Sequence, residues 1–511
     1  MANGPVGRVK SSAVVYYAGW VTLWLGLIMT IPLLTALTFQ EWPDFVNFWA
    51  GTALALFVGL TMILLTRPAQ AQRELSWMEG FAASALSWVV CMFLAAFPYY
   101  LSGHFGSYLD ACFDVMSGFT TTGLVLIQDL DHASNALNMW RHLLTFLGGQ
   151  GIVVLALTLL ARSNPGAFKL YAGEAKDQRL LPSVGSTALA IWEISLVYLL
   201  LGTLAMFLAG LWIGLRPVPA LLHGVWIFMS AWSTGGFAPN SQNIVYYHSL
   251  LYEAVSLPIM IAGSMNFGLH YAAWTGNRKE IFKNIETVVF VTVLVLTFLI
   301  GITALPLQGG LAGPLGVFRR VAYTFISAQT TTGLQPVYAP AMAKTWGDTA
   351  LLGASLAMLF GASASSTAGG FKGIRVGTLF KALSQELKRL LRPERAVVIE
   401  KIHFYRDVIL DDAIVRSSAL IVLLYILTFF GGVILTTALG NPISLSIFEV
   451  ASATGNTGLS VGITQASEPW ILKVAFILIF FVARMEFLSV LVLVGYLLGA
   501  LKSSIFSFGR P

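Results

Sequence analysis

Apolar positions run along this chain in long blocks, and polar residues are confined to short gaps between them. A run of about 20 mostly apolar residues is long enough to cross a bilayer as a helix. Such runs lie near 13–38, 45–66, 76–101, 138–161, 186–214, 248–274, 284–306, 348–380, 415–438 and 470–500, which predicts ten spans. Four further stretches, 106–119, 219–232, 317–330 and 443–454, are semi-apolar and too short to cross. Each stops at a small polar cluster ending in glycine: Thr120-Thr121-Thr122-Gly123, Ser233-Thr234-Gly235-Gly236, Thr330-Thr331-Thr332-Gly333 and Gly455-Asn456-Thr457-Gly458. The last glycines are 113, 97 and 125 residues apart, an internal repeat. The pattern predicts an all-α membrane protein. Residues 1–70 form an N-terminal two-helix hairpin. Four pseudo-repeats of helix, pore helix, filter loop and helix then surround one pore, at 71–180, 181–280, 281–395 and 396–511. The polar, basic stretch from Ser384 to Arg406 reads as helical, with Pro393 as its break.

Composition agrees with a bilayer. The chain is 57% hydrophobic and 11% charged, with mean hydropathy +0.77, where a soluble chain carries roughly 25% charge. With the N-terminus inside, 23 basic residues fall on the cytoplasmic side, ten of them between Lys372 and Arg416. The others there are Arg8, Lys10, Arg67, Arg73, Arg162, Lys169, Lys176, Arg179, Arg278, Lys279, Lys283, Lys502 and Arg510. Six lie outside: Arg141, Arg216, Arg319, Arg320, Lys344 and Lys473. That split fits a protein with both termini in the cytoplasm and places all four Thr/Gly loops on the outer side. The net charge of +6 then reflects topology and lipid contact, and argues against nucleic acid as a partner. Residues 1–12 are basic and polar; the apolar run after them exceeds a signal-peptide core and lacks a cleavage site, so it is kept as a span. Cys91 and Cys112 match no metal-ligand spacing and read as buried thiols, and the seven histidines are scattered.

Four such loops can build a ring of backbone carbonyls that replaces the hydration shell of a small cation. Glycine supplies the positive φ that converging carbonyls require. Thr and Ser hydroxyls bond neighbouring backbone or add ligands. Pore helices with C-terminal ends at the ring add negative potential. The ring candidates are Thr121, Thr122, Gly123, Thr234, Gly235, Gly236, Thr331, Thr332, Gly333, Asn456, Thr457 and Gly458. These oxygens favour a cation over an anion but do not separate potassium from sodium.

Two anomalies stand within the spans. Gly361, Ala362, Ser363, Ala364, Ser365, Ser366, Thr367, Ala368, Gly369 and Gly370 are ten small residues in a row. They serve either a close helix contact or, the favoured reading, broken backbone lining the pore. Arg484 interrupts an apolar run, at a cost of about 2.5–3.5 kcal/mol at a helix centre, so it must face the bundle interior. A structural pair with Glu486 is one role, although i,i+2 neighbours do not face each other. Asn266 and Gln150 are polar at comparable depth and are weaker candidates to line the same cavity.

The sequence resembles the Trk-type potassium uptake proteins of the TrkH/TrkG kind, within the superfamily of Trk, Ktr and HKT cation transporters. The resemblance is carried by S-G-F-T-T-T-G-L (117–124), S-T-G-G-F (233–237), T-T-T-G-L (330–334) and G-N-T-G-L (455–459). L-G-G-Q-G-I-V-V-L-A (147–156), S-T-A-G-G-F-K (366–372) and A-R-M-E-F (483–487) add to it. It covers about 75–505, and the two extra N-terminal helices suit the TrkH subgroup. It implies potassium-binding filter glycines at Gly123, Gly236, Gly333 and Gly458; serine at the first goes with sodium transport in some plant relatives. It implies that 361–370 is an intramembrane gating loop, with Ala362 and Ser365 where members usually carry glycine, and that Arg484 is a barrier below the filter. It further implies a homodimer in the inner (plasma) membrane and a cytosolic, TrkA-like regulatory subunit docked near 372–406. Any nucleotide (ATP/ADP or NAD) would bind to that subunit; this chain itself carries no cofactor. Two alternatives remain on the same fold: sodium conduction, and proton- or sodium-coupled symport with Glu486, Asp114 or Glu193 as the coupling carboxylate. A third is a multi-pass membrane enzyme, for which the only acidic pair, Asp411-Asp412, fits a helix cap better.

Overall fold

The computed structural model describes residues 11–66, 76–151, 184–304, 313–393 and 398–507. Arg8, Lys10, Arg67, Arg73, Arg162, Lys169, Lys176, Arg179 and Arg510, used above for topology, lie outside the described residues, as does the second part of the predicted span 138–161.

The N-terminal hairpin comprises α1 (Ser11–Ile28), α2 (Thr30–Thr38) and α3 (Trp42–Thr66). It docks on the first unit through Glu41, whose carboxylate accepts the Asn135 and Ala136 N–H groups at 2.8 and 2.9 Å. Those are orphan donors of a helix start, where a negative charge is also favoured.

The first unit has α4 (Trp77–Leu101), α5 (Tyr108–Phe119) and α6 (Asn135–Gln150). A capping box of Ser76 and Glu79 starts α4; Ser107 and Ser134 cap α5 and α6. The second unit has α7 (Val184–Trp212), α8 (Pro217–Trp232), α9 (Leu250–Ser264), α10 (Phe267–Trp274) and the single turn α11 (Glu280–Lys283). The third has α12 (Ile285–Ala304), α13 (Gly313–Gln329), α14 (Ala339–Thr345), α15 (Asp348–Phe360) and α16 (Gly373–Leu390). A two-stranded antiparallel hairpin follows, β1 (Lys401–Phe404) and β2 (Arg406–Ile409). The last unit has α17 (Asp412–Ala438), α18 (Ile443–Thr454), α19 (Trp470–Arg484) and α20 (Leu488–Ser507). Asp411 caps α17. The β hairpin corrects the helical expectation for the stretch up to Arg406: helix ends at Leu390, short of Pro393.

The units close into a ring. Each short helix packs on the second helix of the preceding unit: α8 on α6, α13 on α9, α18 on α15 and α5 on α19. Among the described residues, six helical stretches are long and apolar enough to cross a membrane: the first helix of each unit, α3, and α1 together with α2. The second helices are different. α9 and α10 meet at 100°, and α19 and α20 at 114°. α15 and α16 are separated by the non-helical segment 361–372, and α6 ends at Gly151 with φ +93°. The expected continuous spans 248–274 and 470–500 are therefore broken. The α9–α10 break and the segment after α15 satisfy freed backbone groups on each other: Ser363 N donates to Ser264 O, and Phe267 N to Ser365 O, both at 3.3 Å. Outward faces carry exposed Leu200, Leu201, Leu296, Leu427 and Ile434, a lipid-facing surface.

Candidate functional site

Four helix ends meet at the centre with one local geometry. At α5, Thr122 N donates to Ser117 O (2.8 Å) and Thr121 N to Gly118 O (3.0 Å). The same two bonds recur at α8 (Gly235 to Ser230, Thr234 to Ala231), at α13 (Thr332 to Ser327, Thr331 to Ala328) and at α18 (Thr457 to Ser452, Asn456 to Ala453). This is the Schellman ending, which turns the chain by placing one residue in the left-handed region. That residue is Thr121, Thr234, Thr331 and Asn456, at φ +55°, +52°, +53° and +50°. Two residues on, Gly123, Gly236, Gly333 and Gly458 take φ +89°, +70°, +85° and +96°.

The glycines touch in cyclic order. A Cβ at Gly123 would lie 2.7 Å from Gly235 O, at Gly236 2.5 Å from Thr332 O, at Gly333 2.0 Å from Thr457 O, and at Gly458 2.3 Å from Thr122 O. Each glycine thus lies against a backbone carbonyl of the next unit, and the fourth returns to the first. All twelve ring candidates are brought together, and all but half-buried Gly458 are buried. The borders are stitched further out. Asp131 accepts Ser241 N (2.8 Å), Asn243 accepts Gln335 N (3.1 Å), Gln335 and Ser460 exchange bonds (3.1 and 3.2 Å), and Asn456 Nδ2 donates to Thr122 Oγ1 (2.9 Å). Outside the ring, an open cavity of about 390 Å³ reaches Gly123 and Gly458 between Ser241, Gln335 and Tyr338. A second, of about 240 Å³, reaches Gly123 and Gly236 beside Asp129 and Asp131.

Two buried carboxylates back the ring. Asp114 accepts Leu126 N at 2.5 Å, and Glu449 accepts Val461 and Thr464 N at 3.0 Å each. Both stand nine residues before their unit's last glycine and accept the amide three residues after it. That shared register was visible in the sequence and was overlooked. Here Asp114 serves backbone packing behind the ring. Beside it, fully buried Arg141 donates to Ala238 O (3.0 Å) and covers the Phe237 ring at 4.6 Å. Reading it only as an outer-face charge missed this contact.

Segment 361–370 fills the space directly beneath. Gly361 (φ +65°) and Gly370 (φ +74°) cross so closely that a Cβ on Gly361 would meet Gly369 O at 2.3 Å. Three of the four left-handed ring residues hold this segment. Thr121 Oγ1 donates to Thr367 O (3.4 Å), Thr234 Oγ1 to Thr367 Oγ1 (3.1 Å), and Gly369 N to Thr331 Oγ1 (2.8 Å). Thr367 Oγ1 also donates to Gly263 O (2.8 Å). Ser366 bonds Ser363 O, and Ala364 N donates to Glu286 Oε1 at 2.6 Å. Ala362 is buried; Ser365 takes φ +49°.

Arg484 sits at the end of α19, at the bend and not mid-helix. It donates to Thr367 O at 2.5 Å and to Gly148 O at 3.0 Å. The break explains how it escapes lipid. Glu486, at φ +50° in the bend, pairs with Arg375 on α16. Lys372, just after the segment, bonds Ala368 O. Asn266 caps α10 and bonds Glu286 (3.3 Å), and Gln150 accepts from Ser195 (2.8 Å). Glu193 is exposed on α7, away from the ring. Cys91 and Cys112 are buried.

Four short re-entrant helices, three broken ones among the described residues and a central ring of carbonyls define a polytopic membrane protein of the cation-transport class. The chain belongs to the TrkH family of cation transport proteins, whose family profile matches residues 46–312 and 314–500. It is 30% identical over 486 residues to an uncharacterized cation transporter of Methanocaldococcus jannaschii, covering 94% of each chain. It is 29% identical over 490 residues to the Trk system potassium uptake protein TrkH of Halomonas elongata, covering 93% of this chain and 96% of that one. The fold matches the crystal structure of the potassium transporter TrkH from Vibrio parahaemolyticus, with a TM-score of 0.80 at 24% identity over 95% of this chain and 98% of that one. Membership sets aside the membrane-enzyme reading: these proteins are transporters, not enzymes.

Proposed function

We propose that this chain takes up potassium across the inner membrane through the ring at Gly123, Gly236, Gly333 and Gly458. The observation that carries the reading is the closed cyclic order in which each glycine packs on the next unit's carbonyl. A dehydrated cation would exchange water for those oxygens, helped by four pore-helix C-termini. Preference for potassium over sodium rests on glycine at all four positions and on the activity named for the relatives. Segment 361–370 acts as a gate, because it lies under the ring and is bonded to three of its units. Arg484 adds a positive barrier and ties that gate to the first and fourth units. Both termini face the cytoplasm, and the membrane potential, about 2.3 kcal/mol per charge per 100 mV, drives uptake. The protein works as a homodimer with a TrkA-like nucleotide-binding subunit on its inner face, where α16 is basic and amphipathic.

The test is cation flux into proteoliposomes under an imposed voltage, with and without a proton gradient. Potassium and rubidium flux far above sodium and lithium, driven by voltage alone, is expected. Equal sodium flux would overturn the selectivity, and flux that vanished without the proton gradient would replace a channel-like pathway with symport.

A further inference from the structure

The β1–β2 hairpin turns on a single residue. Phe404 pairs with Arg406, so Tyr405 alone makes the turn, at φ +57°. L side chains rarely adopt that conformation, and glycine or asparagine is its usual occupant. A strained aromatic residue at a tight turn calls for a compensating contact.

The contacts run inward. Tyr405 N donates to Glu280 Oε1 at 3.1 Å, and its hydroxyl donates to Asn266 Oδ1 at 3.0 Å. Asn266 Nδ2 donates to Glu286 Oε2 at 3.3 Å, and the other oxygen of Glu286 accepts Ala364 N at 2.6 Å. Three side chains therefore connect the cytoplasmic hairpin to the intramembrane segment. The other end of the hairpin is tied to α16, the helix that leaves that segment. Glu400 pairs with Lys388 and with Lys381 (3.6 Å), Gln385 donates to Val398 O (3.0 Å), and Ile402 and Leu410 pack in one cluster with Ala382 of α16 and Ile285 of α12. Segment, helix and hairpin form a closed brace.

We propose that the hairpin is a cytoplasmic strap that holds segment 361–370 under the ring, with Tyr405 as its positioning residue. The proposal rests on the reading of that segment as the gate. Without the Tyr405 hydroxyl the brace opens at one link, and the segment leaves its blocking position more often. A perturbation of the hairpin or of α16 from the cytoplasm would act through the same link.

The test uses full-length protein in liposomes and reads voltage-driven potassium flux, melting temperature and amide exchange of residues 361–372. Tyr405→Phe keeps the ring and removes the hydroxyl. It is expected to raise flux roughly 2- to 10-fold, the effect of losing one net hydrogen bond from the closed state, with faster exchange in the segment and an unchanged melting temperature. Tyr405→Gly relieves the turn strain yet lacks the hydroxyl, so flux rises while hairpin stability does not fall. Unchanged flux in Tyr405→Phe overturns the strap, and so does a rise seen only alongside a fall in melting temperature. Thr367→Val separates the two claims. If it raises flux and Tyr405→Phe does not, the strap alone fails; if neither raises flux, the gate reading fails with it.

Discussion

Alanine in place of each ring glycine gives a graded prediction. Every substitution forces an L residue to φ between +70° and +96°, a strain of about 1–2 kcal/mol shared by all four. The steric demand differs. A Cβ would meet the neighbouring carbonyl at 2.0 Å at Gly333, 2.3 Å at Gly458, 2.5 Å at Gly236 and 2.7 Å at Gly123. Restoring a 3.0 Å contact in a close-packed interior therefore moves that carbonyl by about 1.0, 0.7, 0.5 and 0.3 Å respectively. The displaced oxygens belong to the ring, so the damage falls on ion coordination. A 1 Å misplacement in a catalytic site costs roughly 100-fold, and Gly333→Ala is expected to lose potassium flux on that scale. Gly123→Ala should lose far less, with the other two in between. Initial rates of potassium and sodium flux in proteoliposomes, with melting temperatures measured on the same preparations, give the ranking independently of the shared backbone strain. A reversed order, or four variants with an unaltered potassium-to-sodium ratio, would refute the reasoning.

Arg484→Gln removes charge-assisted bonds to Thr367 O and Gly148 O, each worth about 1.5–3 kcal/mol; leak flux should rise about tenfold or more. Arg484→Lys should restore only part of the block, because an ammonium lacks the guanidinium fork. Lys473→Met strands buried Asp110, its partner at 2.6 Å; thermal unfolding should show a loss of about 3–5 kcal/mol, mostly recovered by adding Asp110→Asn. His403 is raised above its ordinary pKa by hydrogen bonds to Asp407 and Glu280. Its contribution to hairpin docking is therefore full below the unfolded value near 6.5 and is lost as pH rises through the folded value. Amide exchange across 401–409, corrected for intrinsic rates, should quicken as pH rises above the ordinary histidine value of about 6.5. His403→Gln should flatten that change, and a flat wild-type profile would sink the assignment.

The sequence carried the ring because its signal is redundant: four polar clusters, each ending in glycine, each after a short apolar stretch. Segment 361–370 was legible because ten small residues cannot make an ordinary lipid-facing helix. The bends at 265–266 and 485–487 were not. Met265, Met485 and Phe487 are apolar, and a hydropathy window averages across them. At the first bend Phe267 N is drawn to Ser365 O of another unit, which no local pattern contains; at the second the chain turns locally, with Glu486 and Phe487 at φ +50° and +68°, values their residue types do not announce. The hairpin was missed for a different reason. Ile402 and Phe404 alternate with His403 and Tyr405, but four residues of period two are easily lost in a basic helical stretch. Arg484 was recognised as anomalous, yet its pairing was open until the fold brought Gly148 and Thr367 to it.

The four helix ends also show where the fold accepts strain. A Schellman ending favours glycine or asparagine in the left-handed position. Asn456 obeys, and its amide bonds sideways to Thr122 Oγ1 and to Phe480 O. The other three positions carry threonine, β-branched and poorly suited to positive φ, at a cost of order 1–3 kcal/mol each. Threonine supplies a hydroxyl on the inner side of the ring, and Thr121, Thr234 and Thr331 each direct theirs to the segment beneath. The fourth unit, with asparagine at this position, meets the segment through its turn backbone, where Gly369 packs so tightly that a Cβ would lie 2.1 Å from Gly455 O, and through Arg484. The ring and the segment are therefore one bonded body. The segment can leave only by giving up contacts to all four units together, and any force that moves it acts on the same short turns that aim the carbonyls.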